Sequence, residues 1–318
     1  MKKVVLITTG GTIASKPNEN SGRLTSGAMT GEELAANCSL PENIEVKVDS
    51  LLQKPSIHIN STDWIELKNR IEYYFQDDSV SGIVVTHGTD TLEEVAYFLD
   101  LTIDDVRPVV VTGSQRSISD TGSDVYINLR HAIYAACSED LHQVGTTVVF
   151  NERIFAARYV KKEHASNIQG FNSFGFGYLG IIDNDRVYVY QKPINREIFK
   201  ISSPLPRVDI VKCHTDSDGV VIDALREAGA RGVVIEGVGR GQVAPLMVPA
   251  IKRCIENDVI VVITTSSEEG KVYPTYDYEG SAYDLINHGV LLGGDHDSKK
   301  ARVRLQVMLA SGITEFEF

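Results

Sequence analysis

The chain has 318 residues, 42% of them hydrophobic and 23% charged, which is the make-up of a globular protein long enough for two domains. Its 31 basic and 43 acidic side chains leave a formal net charge of −12 with no basic stripe, which argues against nucleic acid and anionic membrane surfaces as partners. No stretch approaches the roughly 18 consecutive apolar residues of a membrane-spanning helix.

Val4-Val5-Leu6-Ile7 predicts a buried strand over 4–8 that runs into Thr9-Gly10-Gly11-Thr12-Ile13-Ala14-Ser15. The apolar run after Met1-Lys2-Lys3 is too short for a secretory signal, so a cytoplasmic protein is expected. Segment 15–30, rich in Gly, Ser, Thr and Asn, reads as a mobile loop, and Thr30-Gly31-Glu32-Glu33 opens a short helix. Ile44, Val46 and Val48 alternate as in a strand; Trp64, Ile65, Leu67, Ile71 and Phe75 outline an amphipathic helix. A second buried strand, 82–86, ends in Thr86-His87-Gly88-Thr89-Asp90-Thr91. Thr91-Leu92-Glu93-Glu94 reads as a capping box for the helix carrying Leu92, Val95, Ala96 and Leu99. Strand 108–112 leads to Gly113-Ser114-Gln115-Arg116; a helix over 125–138 and a strand over 145–150 follow. Strands alternating with helices predict an α/β fold with a parallel sheet.

Residues 151–190, with Gly170, Gly175, Gly177 and Gly180 among aromatics, predict short strands and turns. Pro193, Pro204 and Pro206 mark 191–207 as a linker. Beyond it, strands at 208–211, 232–235 and 259–263 and helices at 219–229, 245–257 and 298–311 predict a smaller α/β domain. The expected organisation is therefore a domain over 1–190, a linker over 191–207 and a domain over 208–318. Cys38, Cys137, Cys213 and Cys254 are far apart, without zinc spacing, and are expected to be reduced.

The two polar segments sit where buried strands end, and ligands of open α/β sheets bind just beyond such ends. Thr12 is the candidate nucleophile. Gly10 and Gly11 before it let the backbone take positive φ, approach a substrate and aim N–H groups at an oxyanion. A threonine hydroxyl attacks only when a base or a tight field activates it. The same residues also fit a plain turn with Thr12 as N-cap, or a phosphate loop, although neither G-x-x-x-x-G-K-S/T nor G-x-G-x-x-G follows. Thr89 and Asp90 pair a hydroxyl with a carboxylate; helix capping accounts for one polar side chain there, but not for the pair. His87 invites a Ser-His-Asp reading, yet no G-x-S-x-G elbow exists, and a structural histidine is expected. From chemistry alone, Lys162 in Val160-Lys161-Lys162-Glu163-His164 reads as charged surface, since a lysine base needs burial or a neighbouring cation. Gly237-Val238-Gly239-Arg240-Gly241-Gln242 follows a strand, but Ala244 breaks the dinucleotide pattern. Asp295-His296-Asp297 imitates metal ligands and is read as a helix cap before Ser298.

T-G-G-T-I-A-S at 9–15 and H-G-T-D-T at 87–91, in this order, resemble the paired signatures of the bacterial-type L-asparaginases, which include the glutaminase-asparaginases. The resemblance spans the chain. It implies a threonine amidohydrolase with a larger N-terminal domain, whose mainly parallel sheet is flanked by helices, and a smaller C-terminal α/β domain. It implies no metal or organic cofactor, and a homo-oligomer, dimer or tetramer, with sites between an N-domain and a neighbour's C-domain. Thr12 would attack the side-chain amide, with backbone N–H groups near Gly11, Gly88 and Thr89 about the substrate. Thr89 would hold the attacking group or water, Asp90 the substrate α-ammonium, and Lys162, counted back from Phe171-Asn172-Ser173, would complete the second catalytic cluster. Ser56 would bind the α-carboxylate, and Ser114 stands where a small residue's strand end meets the leaving amide. Two positions depart from the pattern. Ile57 replaces a polar residue beside that serine. On the lid of Arg23, Leu24 and Thr25, Leu24 stands where many relatives carry tyrosine. Leucine excludes water but relays no proton. That leaves Thr25, Ser26 or another subunit as activators of Thr12. In the family the 237–242 loop reaches a neighbouring subunit's site and is rich in asparagine, where this chain carries Arg240 and Gln242.

The expected function is hydrolysis of L-asparagine to L-aspartate and ammonia through an acyl-threonine intermediate, in asparagine catabolism. A glutaminase-asparaginase of broad specificity stands beside it, because Ile57 and Leu24 lie where substrate choice is made. The missing lid tyrosine motivates a third reading, a non-catalytic amino-acid-binding or sensor protein. A nucleotide-binding enzyme is a further class, which a thermal shift with nucleotides would reveal.

Overall fold

Strand β1 (Lys2–Gly10) is sealed on both faces, with Val4, Val5, Leu6 and Ile7 fully buried, which is why its sequence is continuously apolar rather than alternating. The computed structural model to which it belongs describes residues 1–18, 21, 23–25, 29–194 and 196–318. The chain divides into two units, Met1–Ile198 and Phe199–Phe318.

In the first unit β1 is followed by β2 (Lys16–Pro17), β3 (Leu24–Thr25), α1 (Gly31–Ala36), β4 (Ile44–Lys54), α2 (Ser61–Tyr74), β5 (Val80–Thr86), α3 (Leu92–Thr102), β6 (Val109–Thr112), α4 (Val125–Ala136) and β7 (Thr146–Phe150). Then come β8 (Arg153–Ala156), β9 (Lys161–Lys162), β10 (Phe171–Asn172), β11 (Gly180–Asp183) and β12 (Arg186–Val189). The main sheet has the order β12-β11-β8-β7-β6-β5-β1-β4. Strands β4, β1, β5, β6 and β7 are parallel, and β8, β11 and β12 extend the sheet antiparallel.

Counted in chain order, the five parallel strands lie second, first, third, fourth, fifth. The chain leaves β1 toward β4 on one side and returns to β5 on the other. The loops after β1 and β5 therefore diverge at the switch point, where such sheets bind ligands. On one face Val4, Leu6, Val84 and Val110 pack with Leu34 of α1 and Leu129 and Ile133 of α4. Helix α3 packs against β6 and β7, and Trp64 of α2 meets Phe98 of α3 with ring centroids 5.4 Å apart.

Two details differ from expectation. Segment 15–30 is not wholly a loop: Lys16 pairs with Thr25 and Pro17 with Leu24 in a short antiparallel ladder. Residues 19, 20, 22 and 26–28, and with them Ser26, lie outside the described residues. Thr91 is the N-cap of α3 but makes no capping bond; its hydroxyl donates instead to the Ser56 carbonyl at 3.1 Å. A competing tertiary acceptor thus overrides the local capping signal. Where no such competitor stands, the signal holds: Thr30 and Glu33 close a full capping box on α1.

The second unit runs β13 (Val208–Lys212), α5 (Val220–Glu227), β14 (Gly232–Gly237), α6 (Val248–Glu256), β15 (Ile260–Thr265), α7 (Ala282–Asn287), β16 (Leu291–Leu292) and α8 (Ser298–Ala310). Its four strands are parallel in the order β13-β14-β15-β16. Val233, Ile235, Val261 and Ile263 face Ile222 of α5 and Ile251 of α6, while Val208, Val234 and Val262 face Ala301 and Leu305 of α8. Helix α7 and strand β16 were not anticipated, being six and two residues long and too short to show a period. Asp297 caps α8, accepting from Lys300 N at 2.9 Å. Among the described residues no helix is long and apolar enough to cross a membrane, and no three or more His, Cys, Asp or Glu side chains are placed to hold a metal ion.

Candidate active site

The backbone brings the two motif loops into contact. Thr8, Thr86 and Thr112 stand side by side at the carboxyl ends of β1, β5 and β6. The Thr9 hydroxyl donates to the Thr86 carbonyl at 2.8 Å, tying the first loop to the second strand. Gly11 takes φ 84° and ψ −176°, and a Cβ on it would lie 2.5 Å from both Cα and N of Gly88. A Cβ on Gly88 would in turn lie 2.8 Å from that of Ser56. Gly11, Gly88 and Ser56 are thus in direct contact, although they come from three separate loops. Gly113 adds a fourth segment: a Cβ placed on it would overlap the His87 carbonyl oxygen.

Thr12 and Thr89 flank the Gly11–Gly88 contact. Thr12 is half-buried and opens a short 3-10 turn, Thr12–Ala14. Gly11 is the N-cap and no side chain caps the turn, so Thr12 is not the turn's capping residue. Among the described residues its hydroxyl has no hydrogen-bond partner, and no base touches it. Leu24 is 48% exposed on β3, and Arg23 and Thr25 beside it are also exposed.

Lys162 lies on the β9–β10 ladder, opposite Phe171, while Lys161 pairs with Asn172. Neighbouring residues of a strand face opposite ways, so only one of the two lysines can turn to this site. The Lys162 ammonium donates to Thr89 Oγ1 at 2.8 Å and to Asp90 Oδ1 at 2.7 Å, with the lysine side chain 11% exposed. Its stem is therefore buried, unlike that of a surface lysine. Its backbone N–H donates to the buried Glu93 carboxylate at 2.5 Å. Asp90 keeps 70% of its side chain in water, open to an incoming cation.

Ser56 is buried at the start of a 3-10 turn, and Ile57 next to it is 71% exposed. Ser114 is buried, but its hydroxyl donates to the Arg116 carbonyl at 2.8 Å, within its own turn. That turn is anchored by Asp124, which accepts from Gln115 N and Arg116 N at 3.0 and 2.9 Å. Sequence reasoning missed Gln115, whose Oε1 accepts from the Thr89 hydroxyl at 3.2 Å, and Glu93. Gln115 becomes visible only once β6 is placed beside β5, and Glu93 only once β9 is placed against the start of α3.

His87 is fully buried, and burial pushes its pKa down to about 4. Its Nδ1 lies 2.8 Å from the Gly88 carbonyl, which can only accept, so Nδ1 carries the proton of a neutral ring. His87 therefore braces the Gly88 loop and is not placed as a base. Because its folded pKa lies below the unfolded value near 6.5, its stabilising effect is complete above that pH and fades as pH falls toward 4. About 3 kcal/mol of stability is expected to be lost over that window. Denaturant midpoints compared across it for the protein and a His87→Gln variant check this. Parallel curves would show that His87 is not the buried neutral group described.

The fold and the cluster define a two-unit α/β protein with a hydroxyl–carboxylate–ammonium site at the switch point of its larger sheet. The chain belongs to the asparaginase family: residues 3–195 match the family model "Asparaginase, N-terminal" and residues 207–317 match "Glutaminase/Asparaginase C-terminal domain". It is 62% identical over 310 residues to L-asparaginase of Bacillus licheniformis, covering 98% of this chain and 96% of that one. It is 32% identical to L-asparaginase 2 of Bacillus subtilis (strain 168), over 97% of this chain and 83% of the relative. A crystal structure of a probable cytoplasmic L-asparaginase from Campylobacter jejuni superposes with TM-score 0.88 at 29% identity, covering 97% of this chain and 95% of that one.

Proposed function

We propose that this protein hydrolyses the side-chain amide of L-asparagine to L-aspartate and ammonia, with Thr12 as the nucleophile. The observation that carries the reading is the Lys162–Thr89–Asp90 cluster set beside the Gly11–Gly88 contact. The exposed Asp90 carboxylate takes the substrate α-ammonium as a charge-assisted partner, and Ser56 takes the α-carboxylate. Thr12 Oγ attacks the amide carbon, and backbone N–H groups near Gly11 and Thr89 stabilise the oxyanion. As the C–N bond breaks, the amide nitrogen takes up the proton that Thr12 Oγ gives up and leaves as ammonia. Water held at the Thr89–Lys162 pair then attacks the acyl-threonine ester; as the ester C–O bond breaks, one proton of the water returns to Thr12 Oγ and the other is released with the aspartate carboxylate. This chemistry asks for no metal or organic cofactor. The same reading takes the working form to be a homo-oligomer, as the family resemblance implies, and places it in the cytoplasm, as the Campylobacter jejuni protein's name suggests for that relative.

Asparagine is favoured over glutamine because the 62% identical relative is named an L-asparaginase, whereas the glutaminase-asparaginase of Pseudomonas fluorescens biotype A is 30% identical. Ammonia release from both amides tests this. A kcat/KM for asparagine at least about tenfold that for glutamine is expected, the discrimination one methylene allows. Equal values would mean a broad glutaminase-asparaginase. No release from either, by folded protein that still binds aspartate, would mean a binding or sensor protein.

A further inference from the structure

We propose that Gln115 is a positioning residue that fixes the direction of the hydrogen-bond chain through Thr89 and Lys162; the proposal deepens the amidohydrolase reading and rests on it. Gln115 follows the end of β6 and reaches across to two other segments. Its Nε2 donates to the His164 carbonyl at 3.4 Å, in the turn between β9 and β10. A carbonyl can only accept, so the amide nitrogen must face it and Oε1 must face Thr89. Oε1 also can only accept, so the single hydroxyl proton of Thr89 points at Gln115, 3.2 Å away. The remaining lone pairs of Thr89 Oγ1 then face Lys162 Nζ at 2.8 Å, and that ammonium also holds Asp90 at 2.7 Å.

The seat of the amide is shaped for it. A Cβ on Gly170 would stand 2.1 Å from Gln115 Nε2 and 2.7 Å from the Asn167 carbonyl, so only glycine leaves the amide room to reach His164. Asp124, at the start of α4, accepts from the backbone N–H of Gln115 and holds its Cα in place. Three segments of the proposed site are thereby joined at one side chain: the strand end before Ser114, the Thr89 loop and the hairpin that carries Lys162.

The consequence is chemical. While Gln115 accepts its proton, Thr89 is a fixed acceptor toward Lys162 and cannot swing to another rotamer. A water bound at Thr89 meets a preset array instead of a freely turning hydroxyl. Loss of the Oε1 acceptor frees the hydroxyl, and the array is set correctly for only part of the time. Removing Gln115 should therefore reduce kcat and leave KM nearly unchanged, because Asp90 and Ser56 still bind the substrate.

Two variants separate this role from a purely structural one. Gln115→Leu removes both bonds; Gln115→Glu keeps an acceptor for Thr89 but loses the donor to His164. The expected result is a fall in kcat of about 10- to 100-fold for Gln115→Leu with KM within about threefold, and recovery in Gln115→Glu to within about fivefold of the parent kcat. Equal loss in both variants would show that the amide merely props the turn at His164, and an unchanged kcat in Gln115→Leu would show that it does nothing; either overturns the proposal. A crystal structure of Gln115→Leu reads the same point without turnover. Thr89 is expected to lose its single rotamer or its contact with Lys162, and retention of both would overturn the proposal. Absence of ammonia release by the parent protein would instead count against the amidohydrolase reading alone, and the rotamer result would still stand or fall by itself.

Discussion

Replacing Thr12 by alanine is expected to lower kcat for ammonia release from L-asparagine by at least about a thousandfold while the protein keeps its fold and still binds L-aspartate. The asymmetry follows from where Thr12 stands. Its hydroxyl makes no hydrogen bond to a described residue, and it does not cap its own turn, so its removal strands no buried partner. The proposed binding groups, Asp90 and Ser56, lie on other loops and are untouched. A fall in stability would be the signature of a turn-capping threonine; a fall in kcat alone is the signature of a nucleophile. Turnover by the alanine variant at the parent rate, with binding retained, would falsify the assignment. Calorimetry with aspartate, run on the same preparation, keeps loss of chemistry distinct from loss of binding.

The second large effect is expected one residue earlier. Gly11→Ala should destabilise the protein by about 3 kcal/mol or more and lower kcat by about a hundredfold. At φ 84° and ψ −176° the backbone is in a region open almost only to glycine. The added methyl would also meet Gly88 Cα and N at 2.5 Å, and these are backbone atoms with no rotamer to change. Strain and overlap therefore act together, and relief requires the two motif loops to separate. That separation moves Thr12 away from Thr89, which is why activity should fall along with stability. Thermal unfolding and kcat of Gly11→Ala, measured beside Thr12→Ala, check the contact: the glycine variant should lose both, the threonine variant only the second. A Gly11→Ala protein with the parent melting temperature would mean that the loops do not pack as described.

Set against these effects, ion pairing contributes little to stability at the site. Asp90 is mostly solvated, and a pair with one exposed partner is worth at most about 1 kcal/mol. The Lys162–Asp90 contact is better understood as orientation. It holds the lysine's donors on Thr89 and leaves the outer face of the carboxylate available to a cationic substrate group.

The sequence by itself determined the layout. Continuous apolar runs such as Val4–Ile7 and Ile83–Val85 fit strands buried on both faces, as in a helix-flanked parallel sheet, and the polar segments after them fall at the strand ends. Local chemistry also settled the caps at Thr30 and Asp297, where donor and acceptor are three residues apart. Tertiary structure decided the rest. Lys162 and Thr89 are 73 positions apart, and Gln115 lies 26 beyond Thr89, so neither contact leaves a local pattern. The family resemblance pointed to Lys162, but nothing in its neighbours Lys161 and Glu163 marked it as buried. At Thr91 the local pattern misled, because the Ser56 carbonyl, supplied from another loop, competed successfully for the hydroxyl. Periodicity and capping report on bonds within one element, whereas the strand order 2-1-3-4-5 sets which loop ends meet. A hydroxyl takes its partner from what the sheet brings beside it, and that is decided only when the whole unit has folded.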